Sequence, residues 1–469
     1  MYKSKLIAIY QCFNRTELEA LHKWVKSPLH NSDEQVTKLL FYISSRRKHS
    51  KLSLSKERIF KQLFPDRLYD DLTLRRLMSK TTKIMEEFVH FLMSKKDISN
   101  QHKQLSEFLN SRQQPQLAQK QLSKGKKKLL TQKEKTHSYY YQFYQLEQEE
   151  FEQTASHNRM QMTNLQVIFD HLSIAFILEN LRYACIAISH QNLYNTEYTI
   201  PFLKEILRLI QQGHYQDIPA IQLYHWAYLA LTQPQNMRHF ELLKQNLLKQ
   251  ETLLPLKEKR NLYTLAINYC IKRINSNESQ HFIQQVFQLY KQGLKNEILL
   301  DNGMLSRFTY KNIVAVGLRL KEYDWTATYI PTYAKYLEVA YRENYQHYTT
   351  SKLYFSKGEY DAAMQRLIQV EYDDLFLNLD AKTMLMKIYY ETQSYNALDA
   401  FFHSFIIYLQ RKEIMGYHRE NYLNIIRLTR KLLELPPNNK KAYQQLSEAI
   451  HSIQPLTERE WLSKQLSKI

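Results

Sequence analysis

Residues 351–405 read SKLYFSKGEYDAAMQRLIQVEYDDLFLNLDAKTMLMKIYYETQSYNALDAFFHSF, and the stretch states one helical pattern twice. Shifted by 35 residues, Tyr354, Tyr360, Ala362, Leu367 and Val370 fall on Tyr389, Tyr395, Ala397, Phe402 and Phe405, and Gly358 falls on Gln393. Tyr354 is placed near the end of a first helix and Tyr360 at the start of a second. Gly358 lies between them, where a left-handed backbone is cheap without a Cβ. Ala362 or Ala363 leaves room for the neighbouring helix, and Leu367 and Val370 continue the apolar stripe at helical spacing. Gln393 weakens the second turn but not the stripe. One hairpin cannot bury its own stripe, so a period of this length predicts neighbours stacked on both sides.

The segment SKLYFSKGEYDAAMQRLIQV resembles a tetratricopeptide repeat, with its inner helix, Gly-x-Tyr turn and Ala-containing outer helix. LPPNN at 435–439 resembles the proline-bearing junction between such repeats. The resemblance is direct over 345–405, and elsewhere it rests on periodicity alone. It implies a tetratricopeptide-like α-solenoid of helical hairpins whose inner helices line a concave groove. Carried over by spacing from Gly358 and Gln393, the exposed groove positions are Tyr345, Tyr348, Lys352 and Phe355 on one helix, then Thr383, Lys387 and Tyr390 on the next. Aromatics joined to lysines suit an acidic peptide, because tyrosine offers contact area at low entropic cost and lysine supplies charge. The alternative for these rings is packing between repeats. The asparagines of a carboxylate clamp are absent at the matching sites, so recognition of a free C-terminus is not implied.

Composition agrees with an all-α class. The 469 residues hold only 7 glycines and 11 prolines, too few for sheet turns or for glycine-rich phosphate cradles. Cys12, Cys185 and Cys270 stand far apart with no metal or redox spacing, which predicts a reduced, cytoplasmic setting. Residues 1–13, MYKSKLIAIYQCF, read as a first helix rather than an export signal. No stretch carries the roughly 18 to 20 uninterrupted apolar residues of a membrane span; 169–178 is broken by Asp170 and His171.

Charge is uneven along the chain. Residues 1–135 carry 29 Lys and Arg against 13 Asp and Glu, a net +16, whereas the remainder carries 36 against 33. Such asymmetry points to an anionic partner at the basic end. Residues 1–100 are expected to form a small basic helical domain, with capping boxes at Asn14/Glu17 and Ser32/Gln35. A short helix, a break at Pro65 and a long helix from Asp71 follow, with Leu74, Leu77, Met78, Thr81, Met85, Phe88 and Leu92 on one face. Arg75, Arg76, Lys80 and Lys83 crowd the rest of its first half. Over 53–92 this order resembles the core of winged-helix DNA-binding domains, although no alternating strand pair follows to make a wing. Residues 101–135 read as a Lys/Gln-rich helical linker, whose Lys124, Lys126, Lys127 and Lys128 either track a phosphate backbone or an anionic membrane surface, or form a solvated face.

The repeat region is expected over 136–469. It opens with HSYYYQFYQLEQEEFEQ, in which Tyr139, Tyr140, Phe143, Leu146 and Phe151 suit a packed face. The acids that follow argue against base stacking, which needs basic residues among the rings. Helix pairs are expected at 165–189 with 199–212, 218–231 with 236–250, 256–274 with 279–293, and 305–320 with 323–341. The motif pair, 419–435 with 439–452, and a last helix from 457 complete the series.

Catalytic signatures are absent. No Walker loop, dinucleotide fingerprint, HExxH or GxSxG occurs. YDDL appears at 69–72 and 372–375, each time ahead of a helical run, where aspartate caps free N–H groups rather than holding a metal. The sequence therefore predicts a non-catalytic protein-interaction scaffold without cofactor or metal. Its partner is a protein or peptide; the other reading is a nucleic-acid-associated regulator gripping phosphate through residues 1–135.

Overall fold

The structure is a computed structural model that describes the chain except residues 46–53, 158–162, 195, 250–252, 276–279, 369–373, 412–415 and 437–438, and the side chains of 156–157, 192–194, 368 and 416–418. The expectations for Val370, Tyr372, Asp373 and the Pro437–Asn438 junction lie outside the described residues. The chain is all-α, and among the described residues its only strands are two of two residues each. It divides into two compact units. The first comprises Met1–Tyr183, Ile200–Ile221 and Thr252–Leu254; the second comprises Ala184–Thr199, Gln222–Glu251 and Pro255–Ile469.

The first unit begins with α1 (Lys5–Cys12), α2 (Arg15–Lys26), α3 (Glu34–Ser45), α4 (Lys56–Leu63) and α5 (Asp71–Ser94) around one apolar core. Asn14 and Glu17 form the expected capping box, each side chain accepting from the other's backbone N–H at 2.9 Å. At α3 the cap is Asp33 rather than Ser32, because Asp33 Oδ1 accepts from Gln35 N. Asp70 caps α5 by accepting from Leu72 and Thr73, the role expected for the first YDDL. Leu74, Leu77, Thr81, Met85 and Phe88 are buried on α5, with Met78 and Leu92 packed at the core's edge.

Residues 101–135, expected as a linker, lie largely in α6 (Ile98–Ser111) and α7 (Pro115–Leu130), which pack on each other and on α8 (His137–His157). Ala118, Leu122, Gly125 and Leu129 make a seam of small and apolar residues on α7. A Cβ at Gly125 would stand 2.9 Å from His102 Cβ, so glycine permits the close approach. Tyr139, Tyr140, Phe143 and Leu146 of α8 are buried and Phe151 is half-buried, as packing rather than base stacking requires.

Next come α9 (Leu165–Tyr194), α10 (Leu203–Gln211), α11 (Pro219–Thr232), α12 (Met237–Lys249), α13 (Leu256–Asn275) and α14 (Gln280–Lys295). Residues 165–191 of α9 are long and apolar enough to cross a membrane by length and composition, with a mean hydropathy of 1.4 and 33% of the window buried. The strict apolar run remains interrupted, as expected, by Asp170 and Glu179; an averaged window tolerates these isolated charges.

A tight hairpin, where only helices are expected, pairs β1 (Leu300–Asp301) with β2 (Met304–Leu305). Its turn is Asn302–Gly303, both at positive φ, the dipeptide that two-residue hairpins favour. Then follow α15 (Arg307–Arg319), α16 (Tyr323–Ala334), α17 (Val339–Lys357), α18 (Tyr360–Ile368), α19 (Leu375–Glu391) and α20 (Tyr395–Arg411), with α21 (Gly416–Leu433), α22 (Lys440–Ser452) and α23 (Arg459–Leu466) closing the chain. The single helix expected over 323–341 is two, because the chain breaks between Ala334 and Val339. Helices α15, α17 and α19 pack in succession, and α16 and α18 fill between them.

One turn device recurs through both units. At Gly358 the backbone is left-handed, Gly358 N donates to Phe355 O, and Glu359 N donates to Tyr354 O. Gln393 repeats this 35 residues on, with Gln393 N to Tyr390 O and Ser394 N to Tyr389 O. Gln113, Gly213 and Lys321 carry the same pair of bonds, all at 2.9–3.1 Å. This is the Schellman closure, which satisfies the last carbonyls of a helix. Three of the five use a residue with a Cβ, each at about 1–2 kcal/mol of strain. The likeness of α6–α7 to α17–α18 goes further. Ser106 Oγ donates to Ala118 O at 3.1 Å and Ser351 Oγ to Ala363 O at 2.8 Å, and all four residues are fully buried.

Candidate functional site

The groove positions lie on α17 and α19, whose apolar faces orient them. Asp374, from the second YDDL, caps α19 by accepting from Phe376 and Leu377, and it also accepts from the Tyr345 hydroxyl at 2.9 Å. Tyr345 is only 1% exposed, and Tyr348 and Thr383 are buried too, the Thr383 hydroxyl turned back onto Leu379 O. Lys387 is 9% exposed. The open groove expected from spacing is therefore not the arrangement found at these four positions. Lys352, Phe355 and Tyr390 are half-buried.

Much of the cover comes from the end of the chain. Glu458 Oε2 lies 2.7 Å from Lys387 Nζ, which also sits 4.7 Å from the Phe355 ring centre and 5.7 Å from that of Trp461. Trp461 meets Tyr390 edge-on at 5.3 Å and donates Nε1–H to Glu391 Oε1 at 3.0 Å. Gln465 donates to the same carboxylate, Lys468 pairs with it at 3.2 Å, and Arg319 pairs with Glu460. Glu458 itself is left-handed, with φ 55°, and makes no side-chain cap to its own helix. Its carboxylate turns to the lysines instead.

The electrostatics leave a cation in surplus. Lys311 pairs with Asp380 at 2.5 Å, Asp380 also accepts from the Tyr422 hydroxyl at 3.2 Å, and Lys387 takes Glu458. Lys352 lies in the field of both carboxylates without a hydrogen bond from its ammonium among those described. Burial pushes the Lys352 pKa down, ahead of the attraction of Glu458 and Asp380 that raises it. At Glu458 burial acts to raise the carboxyl pKa, but the ammoniums of Lys387 and Lys352 outweigh it and hold the group below its ordinary value. Three ammoniums thus share two carboxylates, an arrangement suited to receiving a further acidic group.

The basic candidates separate into engaged and free. Arg75 pairs with Asp71 at 2.6 Å and Lys80 with Asp33 at 2.9 Å, both at the surface, while Arg76 and Lys83 are exposed. Lys126, expected as an anion contact, turns inward instead, 2.7 Å from Glu147 and 2.6 Å from Glu150. Its neighbours Lys124, Lys127 and Lys128 are exposed. The elements directly after α5 are α6 and α7, so among the described residues no strand pair stands beside it to make a wing.

Burial raises the Cys270 thiol to about 12 and the Cys185 thiol further, so neither is a thiolate near neutral pH. Among the described residues no group of three or more His, Cys, Asp or Glu is placed to hold a metal ion.

No family model, curated protein or solved structure matches this chain.

The partners that define the site were missed by spacing. Lys311, Asp380, Glu391, Glu458 and Trp461 come from three helices and the segment before the last of them, and Lys387 and Glu458 are 71 residues apart. Only the cap position of Asp374 carried a local signal.

Proposed function

We propose that the protein is a non-catalytic interaction scaffold, a tetratricopeptide-like array of helical hairpins joined to a basic helical N-terminal region. In this reading the lysines of α17 and α19 receive an acidic group from a protein partner. The observation that carries it is the partly buried Lys387–Glu458 ion pair with Lys352 beside it, for which no hydrogen bond is found among the described residues: a carboxylate from the chain itself sits where the partner's would. The repeated left-handed turns at Gly358 and Gln393 and the succession of α15, α17 and α19 support the array. A labelled glutamate-rich peptide tests the site in the full-length chain. Glu458→Gln, which frees Lys387, is expected to bind it about tenfold more tightly than wild type, and Lys352→Gln added to it to abolish the gain. Equal affinity in all three proteins would refute the assignment.

A second reading, association with nucleic acid through residues 1–135, draws on the exposed lysines of α7. Lys120, Lys124, Lys127 and Lys128 lie on its solvent side, with no ion pair to any of them among the described residues. If about five phosphates are neutralised, duplex DNA binding falls with salt at a log-log slope of roughly −4.5. Absence of binding at low salt eliminates this reading.

A further inference from the structure

Between α14 and α16, away from the lysine cluster, lies a cavity of about 430 Å³. One wall carries Lys291 and Lys295, one helical turn apart, and the other carries Trp325, Tyr329 and Tyr333, two turns long. Trp325 and Tyr329 stack with centroids 5.1 Å apart at 15°, and Tyr329 and Tyr333 at 5.0 Å and 26°. Both lysines are exposed, and neither is ion-paired among the described residues. Lys291 lies 5.6 Å over the Trp325 ring, and the acid that reaches this wall electrostatically is Glu297, near Tyr333.

We infer that this groove docks a short extended acidic peptide whose alternate side chains are aliphatic or proline. The volume is within the roughly 300–1,000 Å³ of ligand sites, and an aromatic wall with few polar groups is their usual lining. The ladder spans about 12 Å at ~1.5 Å per helical residue, the length of about four extended residues at ~3.3 Å each. The two lysines stand about 6 Å apart along their helix, which matches acids at every second peptide position. Aromatic-lined grooves take up extended, proline-bearing segments for the same reason: the ligand loses little entropy. Bases fit poorly. Tyr329 is only 2% exposed and Lys291 lies over the Trp325 ring, so what the wall exposes, parts of Trp325 and Tyr333, suits small aliphatic or proline side chains better than a run of stacked bases.

The test uses the full-length chain and a fluorescein-labelled peptide alternating glutamate with proline and leucine, followed by anisotropy. Wild type is expected to bind saturably and more weakly as salt rises. Lys291→Glu with Lys295→Glu should weaken binding at least about tenfold. Thr328→Trp, which fills the groove from an exposed position without changing charge, should do the same; both variants should unfold at the wild-type temperature. Lys204→Gln, at an exposed lysine of α10 that belongs to neither lysine site, should leave this binding unchanged. Equal binding by wild type and either groove variant, absence of saturable binding, or displacement by a single-stranded oligonucleotide in place of the peptide would overturn the inference.

Discussion

In α6–α7, Ser106, Gln113 and Ala118 stand where α17–α18 has Ser351, Gly358 and Ala363, with the same hydroxyl-to-carbonyl bond and the same left-handed closure. Their charges are disposed differently. Helix α7 turns Lys124, Lys127 and Lys128 to solvent and keeps Lys126 for Glu147 and Glu150, whereas α17 draws Lys352 toward carboxylates from α19 and the segment before α23. A hairpin frame of this kind is set by a few small residues at the seam. The surface it carries is free to vary.

The strongest way to break the comparison is to crowd the seam. Ala118→Leu and Ala363→Leu force side chains into fully buried, close-packed positions and should each lower stability by about 1–3 kcal/mol in chemical denaturation. Comparable losses support one frame; a neutral Ala118→Leu would show that α6–α7 is not as tight as α17–α18.

Acid should distinguish the hairpins by their charges. Glu458 has its folded pKa held below the ordinary value by Lys387 and Lys352, so its contribution is present above about pH 4.5 and is lost as pH falls through the folded value. Glu458→Gln should therefore flatten the acid limb of the stability curve while changing it less below that limb. An unchanged pH profile would remove the carboxylate from the account.

The smallest effects lie at the turns. Gln113→Gly and Gln393→Gly relieve a strained left-handed backbone, offset by the greater freedom of glycine when unfolded, for a net gain of a few tenths to about 1 kcal/mol. Gly358→Ala should lose about 1 kcal/mol. Its Cβ would meet nothing within 4 Å, so only the backbone is tested.

Much of the fold could be read because its causes are local. Apolar stripes at helical spacing placed most helices of the second half, and Asn14, Asp70 and Asp374 marked helix starts by accepting from nearby N–H groups. The hairpin at Asn302–Gly303 also has a local cause, an Asn-Gly pair that accepts positive φ at both positions. The α6–α7 hairpin was hidden because Gln113 fills a position that glycine would have advertised, and because a polar, lysine-rich surface conceals a seam of only four small or apolar residues.

The candidate site was less legible. Sequence by itself determined that Lys352 and Lys387 stand 35 residues apart, each six residues before a helix-ending turn, since helical period and turn spacing are properties of contiguous residues. Tertiary structure alone decided that these lysines lie beneath the chain's own end, that Lys126 pairs inward, and that Trp325, Tyr329 and Tyr333 leave a groove beside Lys291 and Lys295. Burial and charge pairing depend on distances between residues far apart in the chain, and no local pattern carries those distances.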